Sequence, residues 1–410
     1  MHIQTSHNNT YSYLRQTNEI IGGIVADNSY AWSFTPLMPF SSMSEVYMFI
    51  LGITEQCNLR CSYCCYSGQY ASNRSHGIRS MNIKDLDSIF DFIQCVAKKN
   101  RPIRIAFYGG EPMVQYPLVQ YAIKKGHTLW ADNVIFSIST NGTILTPDKI
   151  NWLVAHNVEL AISIDGTESF HDLHRVDANG KGSYRQVYEA LSYIKAVYPE
   201  YLKSISLLMT LTSFRQLEKI AAEWHKDELL KDIAPSNIHG LTPNFAIGAN
   251  RVDYEQVKSL YFHLLNVYEE HQDWLVLKVY LEQCIAYWKD RPIVNVEGAT
   301  LMPTCMPINT KLYIDSKLQI GVCEKMADDY RIGSIYDGIN WDKANAIVRD
   351  YYDKRKYRCA YCPAIRMCDM CLTAIEYDEK QWDILCHNER VYAKAFMWLF
   401  CEMAERGLIT

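Results

Sequence analysis

Residues 46–68 read VYMFILGITEQCNLRCSYCCYSG and combine an apolar run with a cysteine-rich loop. Its first nine residues are almost wholly apolar, which is typical of a buried strand in a parallel sheet. Cys57, Cys61 and Cys64 follow at CxxxCxxC spacing in the loop after that strand. Three thiolates on one loop suit a 4Fe-4S cluster with one open iron, because a closed cluster needs four protein ligands. The alternative is a zinc knuckle, although zinc sites favour paired CxxC spacing or a nearby histidine, and only His76 is close.

Further strand-like runs alternate with helix-period segments as far as residue 247, a pattern of βα units that predicts a parallel sheet. The helical segments are expected at residues 82–99, at 146–157 with Thr146 as the cap, and at 183–199 with Pro199 closing the helix. The six strand-like runs are VYMFILGIT, IRIAFYGG, NVIFSIST, VELAISID, ISLLMTLT and IHGLTPNFAI.

The second of these runs ends in Gly109, Gly110, Glu111 and Pro112. Two glycines allow a close backbone approach, and the carboxylate can accept a hydrogen bond from a ligand ammonium group. Alone, a Gly-Gly turn after a strand is usually structural. Here the turn follows the cysteine loop by one βα unit, and in that position it indicates a binding site.

Together, the CxxxCxxC loop and the GGEP turn resemble the radical S-adenosylmethionine (SAM) superfamily. The resemblance implies an α/β fold, a partial (β/α)6 TIM-like barrel, with a 4Fe-4S cluster on Cys57, Cys61 and Cys64 and SAM on the open iron. It also puts Tyr63 in an aromatic position before the third cysteine. Electron transfer from the reduced cluster then yields a 5'-deoxyadenosyl radical, which abstracts hydrogen from a substrate, so an external donor such as ferredoxin or flavodoxin is implied.

Polar residues near the ends of the second to fourth strands complete the SAM site that the resemblance implies. STNGT and SIDG look like ribose-side contacts, and Arg175 of HDLHR is expected to pair with the SAM carboxylate. For the hydroxyl and amide residues, the alternative is an ordinary turn at the end of a strand. The sequence nominates no catalytic acid or base. The implied SAM contacts are Gly109, Gly110, Glu111, Ser139, Asn141, Ser163, Asp165 and Arg175.

The C-terminal region carries a second cysteine array, which on its own would also fit a zinc ribbon. Because it lies C-terminal to a radical SAM core, the array resembles a SPASM domain, which binds two auxiliary 4Fe-4S clusters. Together with the SAM cluster, the resemblance implies three 4Fe-4S clusters. The proximal cluster would have three cysteines, unless Cys284 or Cys401 completes it. An open iron there would suit a substrate thiolate, although water or another ligand fits equally well. The resemblance assigns Cys305, Cys323 and Cys371 to the proximal cluster, and Cys359, Cys362, Cys368 and Cys386 to the distal one.

Two departures from the SPASM pattern affect these ligand assignments. Only two residues separate Cys368 from Cys371, where the pattern has three. Leu318 stands at the position, five before Cys323, where the pattern has glycine. Cys65 and Cys95 are expected to be buried small hydrophobic residues.

The expected organisation has four parts. Residues 1–44 form an N-terminal extension, expected as a β-hairpin, and residues 45–250 form the barrel. Residues 251–298 form a helical bridge. Residues 299–410 form a small cysteine-rich α+β SPASM domain with a hairpin at KLYIDSKLQIGVC and a terminal helix near residues 388–406.

Composition excludes several classes of protein. A net charge of -5 without a basic patch argues against binding to nucleic acid or to an anionic membrane. The chain shows neither a signal-peptide pattern nor a run of about 20 apolar residues, so a cytoplasmic protein is expected. Structural disulfides are rare in that compartment, so 14 cysteines point to metal ligation.

The leading hypothesis is a maturase that installs a thioether or carbon-carbon cross-link in a ribosomally made precursor peptide. A leader-binding partner protein, or strand addition to the N-terminal hairpin, would capture the peptide. The first alternative is an anaerobic sulfatase-maturating enzyme, which forms formylglycine. The second is an iron-sulfur electron-transfer or scaffold protein, which would have no need of the GGEP, SIDG and HDLHR elements.

Overall fold

A ten-stranded sheet organises the protein in the computed structural model. The model describes residues 1–26, 31–34, 39, 41–70, 73–240, 250–294, 298–299 and 308–409. Cys305 and residues 241–247, the second part of the sixth strand-like run, lie outside the described residues.

The N-terminal extension forms a three-stranded antiparallel sheet instead of a simple hairpin. Its strands are β1 (His2–Gln4), β2 (Thr10–Leu14) and β3 (Glu19–Gly22), in the order β1-β2-β3. The short strand β4 (Ser33–Phe34) pairs in parallel with residues 298–299.

All six strands predicted for the barrel are present and lie parallel, which confirms the fold class. Apolar runs with buried alternate residues drive this pairing, since each strand buries one face beneath helices. The strands are β5 (Met48–Thr54), β6 (Ile103–Gly109), β7 (Val134–Thr140), β8 (Glu159–Ser163), β9 (Ser206–Leu211) and β10 (Asn237–Gly240), in the order β10-β9-β8-β7-β6-β5.

The cysteine-rich region continues this sheet. Strand β11 is the Gly298–Ala299 segment that pairs with β4, and β12 (Lys311–Ile314) pairs in parallel with β5. Strand β12 also forms the predicted hairpin with β13 (Gln319–Gly321), and β14 (Arg331–Ser334) and β15 (Gly338–Ile339) extend it. The second cysteine array is therefore attached beside the strand that leads into the first.

Helices cover the sheet and join its two halves. The predicted bridge is two helices, and the terminal helix begins nine residues earlier than expected, at a capping box of Asp378 and Gln381. None of the helices in the described ranges has the length and apolar content needed to cross a membrane. The helices are α1 (Ile83–Val96), α2 (Tyr116–Trp130), α3 (Pro147–Ala155), α4 (Glu168–His171), α5 (Tyr184–Val197), α6 (Pro199–Ser204), α7 (Leu217–Lys226), α8 (Tyr254–Glu270), α9 (Leu275–Asp290), α10 (Trp341–Cys359) and α11 (Glu379–Glu405).

Two faces of the barrel sheet differ in burial, and this difference positions the site. In β6 and β7, buried residues facing the helices alternate with half-buried residues on the opposite face. Ser139 and Ser163 lie on that half-buried face, near the carboxyl ends of their strands. The loops that carry the predicted motifs leave from the same edge.

Two helix starts allow a matched test of capping. The Asn82 side chain accepts hydrogen bonds from the backbone N–H groups of Lys84 and Asp85, whereas Thr146 makes no side-chain cap bond. We expect Asn82→Ala to lower the free energy of unfolding by about 1 kcal/mol. Thr146→Ala serves as the control and should cost clearly less. Chemical denaturation measures both, and equal losses would contradict this assignment of the caps.

Candidate active site

The first cysteine loop follows β5, and its three cysteines are half-buried. Burial raises the pKa of Cys57 to about 12 and that of Cys61 to about 11. A hydrogen bond with Cys65, together with burial, raises the pKa of Cys64. Metal ligation requires thiolates, so binding of a metal cluster here would release protons.

Backbone N–H groups approach the sulfur atoms of this loop. The N–H of Leu59 lies 3.4 Å from Cys57 Sγ, and the N–H of Tyr66 lies 3.4 Å from Cys64 Sγ. His76 Nε2 lies 3.6 Å from Cys64 Sγ. Such donors are typical of iron-sulfur sites, where hydrogen bonds to sulfur tune the reduction potential.

The two glycines of the GGEP turn pack directly against the chain entering this loop. Gly109 has φ of 147°, and a Cβ there would lie 2.3 Å from the carbonyl oxygen of Thr54. A Cβ on Gly110 would lie 2.1 Å from the carbonyl oxygen of Gln56. Glycine is therefore required at both positions, and the turn reaches within one residue of Cys57.

Glu111 is buried and faces the end of β7. Its carboxylate accepts hydrogen bonds from the N–H of Met113 at 3.0 Å, the hydroxyl of Thr140 at 2.7 Å and the N–H of Asn141 at 2.7 Å. Burial raises the Glu111 pKa, and these donors oppose that shift. Since a carboxylate offers about four acceptor positions, these three donors leave one of them unused.

Asn141 connects the end of β7 to the cysteine loop. Its side-chain N–H₂ donates to the Asn58 side-chain oxygen at 2.9 Å and lies 4.0 Å from Cys57 Sγ. Asn58 in turn donates to the Thr143 hydroxyl at 2.8 Å. STNGT therefore supports the cysteine loop through Asn141 and Thr143.

Asp165 and Arg175 form a buried ion pair. Arg175 Nε donates to Asp165 Oδ2 at 2.7 Å, and the hydroxyl of Tyr63 donates to the same oxygen. The N–H of Thr210 donates to Asp165 Oδ1 at 2.8 Å. The pair therefore joins the cysteine loop to β8 and β9, with Tyr63 held between Cys61 and Cys64.

This pair was not foreseen from the sequence, which assigned Arg175 to a ligand carboxylate and Asp165 to the ribose side. The sequence contains an acidic and a basic residue ten positions apart, but their pairing depends on the turn after α4, which brings the two side chains together. The roles of all eight SAM contacts remain predictions.

The four cysteines assigned to the distal cluster line one cavity. Cys359 ends α10, Cys362 and Cys368 lie in the following turns, and Cys386 lies on α11. Burial raises the pKa of the thiols of Cys362, Cys368 and Cys386, the last to about 11. The guanidinium of Arg355 donates to Cys368 Sγ at 3.5 Å, which suits a site that becomes anionic when thiolates bind metal.

The proximal set is only partly described. Cys323 Sγ accepts from the N–H of Lys325 at 3.5 Å, and Cys371 Sγ accepts from the N–H of Thr373 at 3.4 Å. Leu318, at the position of the expected glycine, has φ of 63°, the conformation that glycine favours. This chain therefore keeps the backbone shape without the glycine.

The other cysteines occupy different surroundings. Cys284 packs 3.9 Å from the Tyr261 hydroxyl between α8 and α9, and Cys401 lies on α11 near Arg291 and Glu405. Their partners differ from those of Cys323 and Cys371. Cys95 is exposed, so the prediction that it is buried is wrong, because its side of α1 faces solvent.

The spacing of the donor atoms bears on the zinc alternative. Within the described ranges, no three cysteine sulfurs lie within 4.8 Å of one another; the one such group of metal-binding side chains is His7, Glu402 and Glu405. A single tetrahedral zinc with bonds of about 2.3 Å needs its thiolates closer than this. A cubane cluster places iron and sulfide between its thiolates and therefore holds them farther apart than a single zinc does.

Comparison with known proteins finds similarity to radical SAM proteins. Residues 51–223 match the radical SAM superfamily model. The cysteine-type anaerobic sulfatase-maturating enzyme of Clostridium novyi (strain NT) is 32% identical over 193 residues, 45% of this chain and 50% of that protein. The radical SAM cyclopropyl synthase TigE of Paramaledivibacter caminithermalis is 24% identical over 153 residues, 35% of this chain and 32% of that protein.

A solved structure shares the fold over most of the chain. Native anSMEcpe with bound AdoMet and Cp18Cys peptide superposes with a TM-score of 0.57 at 17% identity, covering 88% of this chain and 97% of that one. By contrast, the sequence matches span about half the length of the first relative and a third of the second.

Removing the buried carboxylate tests the link between loop and barrel. We expect Asp165→Ala to lower the free energy of unfolding by about 3–5 kcal/mol, because the buried Arg175 loses its partner. Chemical denaturation followed by circular dichroism measures this. Glu189→Ala, which breaks the exposed pair with Arg185, is the control and should cost less than about 1 kcal/mol. Similar losses for the two variants would contradict the assignment.

The buried His171 makes stability depend on pH. Burial lowers its pKa from 6.5 to about 4, so the folded state keeps the imidazole neutral. Its contribution is complete above about pH 6.5 and is lost as pH falls towards 4, a change of about 3 kcal/mol. We expect the wild type to lose more stability than His171→Asn between pH 7 and pH 4. Parallel stability curves for the two proteins would refute this expectation.

Proposed function

We propose that this chain, whose residues 51–223 form a radical SAM domain, is an enzyme that cleaves SAM reductively and modifies a peptide. The main support for this proposal is that the first cysteine loop is anchored to the ends of the next three strands. Gly110 and Glu111 reach it from β6, Asn141 from β7 and Asp165 from β8. A loop that only held a metal would not need contacts with all three strand ends.

The residues present fit a 4Fe-4S cluster on Cys57, Cys61 and Cys64. A cluster bound there would supply one electron to the sulfonium of SAM, whose C–S bond would break to give methionine and a 5'-deoxyadenosyl radical. The GGEP turn offers its backbone and the remaining acceptor position of Glu111 to the SAM ammonium group. Ser139 and Ser163, on the half-buried face, supply hydroxyls for the rest of SAM, while the buried Asp165 group keeps the loop rigid.

Two auxiliary 4Fe-4S clusters complete the proposal. Cys359, Cys362, Cys368 and Cys386 would close the distal cluster, which the shared cavity supports. Cys305, Cys323 and Cys371 would hold the proximal one and leave an iron open for a substrate thiolate. An external electron donor such as ferredoxin or flavodoxin would supply electrons.

The substrate we propose is a ribosomally made peptide, into which the enzyme installs a thioether or carbon-carbon cross-link. The fold shared with a structure holding a peptide supports the substrate class. A separate leader-binding protein would be a further partner. Formylglycine formation is the second candidate, favoured by the 32% identity to a sulfatase-maturating enzyme.

Cysteine variants separate radical chemistry from electron carriage. We expect Cys57→Ala to abolish release of 5'-deoxyadenosine from SAM and dithionite, because the cluster loses a ligand. Cys371→Ala should retain this cleavage yet lose peptide product. Chromatography of anaerobic reactions measures both, with the exposed Cys95→Ala as the unaffected control. A wild type that releases no 5'-deoxyadenosine would be a carrier, not a radical enzyme.

Metal counting supplies the companion control. Anaerobically reconstituted protein should hold about twelve irons per chain, falling to about eight in the Cys57, Cys61 and Cys64 triple alanine variant. About four irons with zinc present would refute the auxiliary clusters.

Hydrazide trapping after reaction with a cysteine-containing peptide detects formylglycine, whereas two linked residues in one fragment identify a cross-link.

A further inference from the structure

A cavity of about 340 Å³ lies outside the proposed SAM site, between the end of β5 and the loops around β12 to β14. Arg74 and His76 line it from the segment after the cysteine loop. Asp315, Lys317 and Arg331 line it from the other side. None of these residues belongs to the SAM or cluster assignments.

Arg74 is the unusual member of this wall, because only 9% of it is exposed. Its Nε donates to the carbonyl oxygen of Glu324 at 3.3 Å, and its guanidinium stacks on Tyr66 with Cζ 3.5 Å from the ring centroid. Both terminal nitrogens, Nη1 and Nη2, are buried and have no hydrogen-bond partner among the described residues. Buried charged donors without partners are costly, so this arrangement calls for a ligand.

Three of the four acidic side chains in the wall already have partners. Asp315 accepts from Arg331 Nε at 2.6 Å, and Asp328 pairs with Lys317. Glu55 accepts from the hydroxyl of Ser316 at 2.9 Å. Among the described residues, no carboxylate lies within ion-pair distance of Arg74, so its two terminal nitrogens are open to an added acceptor.

His76, which also lines the cavity, carries another buried nitrogen without a hydrogen-bond partner. Its Nδ1 is buried without a partner, while Nε2 faces Cys64. In the tautomer that carries its proton on Nδ1, His76 supplies a further donor without a partner in the cavity wall. The cavity therefore adjoins the loop that holds the first cysteine cluster.

We propose that this cavity binds a carboxylate through Nη1 and Nη2 of Arg74. A guanidinium fork matches a planar carboxylate with two parallel hydrogen bonds. Four acidic residues line the cavity (Glu55, Asp315, Asp328 and Asp329) against three basic ones (Arg74, Lys317 and Arg331), so a singly charged ligand is favoured over a phosphate. The source is a carboxylate of the peptide substrate, an identification that rests on the proposed function, or a free small acid.

Acetate binding to the reconstituted full chain tests the site. Saturation-transfer NMR of acetate, with sodium chloride at matched ionic strength, should show saturable binding to the wild type. Arg74→Gln should weaken it at least tenfold, and Arg74→Lys, which keeps the charge but loses the fork, should also weaken it. Arg185→Gln, at an exposed arginine, is the control and should bind like the wild type. Inorganic phosphate should compete poorly.

A peptide arm identifies the source. Tighter binding of Ac-Ala-Glu-Ala-NH₂ than of acetate, with no binding of Ac-Ala-Gln-Ala-NH₂, supports the peptide; acetate binding alone supports a free acid. Two results would overturn the proposal. The first is that the wild type shows no saturable binding of acetate. The second is that both Arg74 variants bind acetate as tightly as the wild type does. The assay needs no SAM cleavage, so it stands or falls separately from the proposed function.

Discussion

The carboxylate of Asp165 holds together the parts of this protein that have to meet. It is buried, and it accepts hydrogen bonds from Arg175, from the Tyr63 hydroxyl and from the backbone of β9. A buried charge of this kind is stable only when its partners are complete. The cysteine loop, through Tyr63, is one of those partners, so the position of the loop and the integrity of the barrel edge depend on each other.

The central position of β5 gives the two cysteine regions a common frame. It pairs with β6 on one side and with β12 on the other, so one strand carries the first loop while its neighbour begins the cysteine-rich region. The loop itself then crosses to that region: the Tyr66 hydroxyl donates to the Glu324 carbonyl oxygen at 3.3 Å, next to Cys323. A shift in either region would therefore be felt in the other.

Burial dominates the chemistry of the thiols. It raises the pKa of Cys57, Cys61, Cys323 and Cys386, which keeps these groups protonated until a metal replaces the protons. The surrounding N–H groups and the guanidinium of Arg355 then favour the thiolates. Folding and cluster assembly are thus expected to be linked, since the same burial that disfavours free thiolates also shields a bound cluster.

The parallel barrel and the first cysteine loop could be predicted from the amino-acid sequence, because strand runs, glycine turns and ligand spacing are local patterns. The resemblance to a SPASM domain assigned Cys359, Cys362, Cys368 and Cys386 to one set, and these residues line one cavity although Cys386 lies on another helix. Three features could be seen only in the folded chain: Arg175 pairs with Asp165, Glu111 faces β7, and β12 extends the barrel sheet. These outcomes depend on which buried charges and strand edges meet across the fold, and no spacing along the chain encodes that.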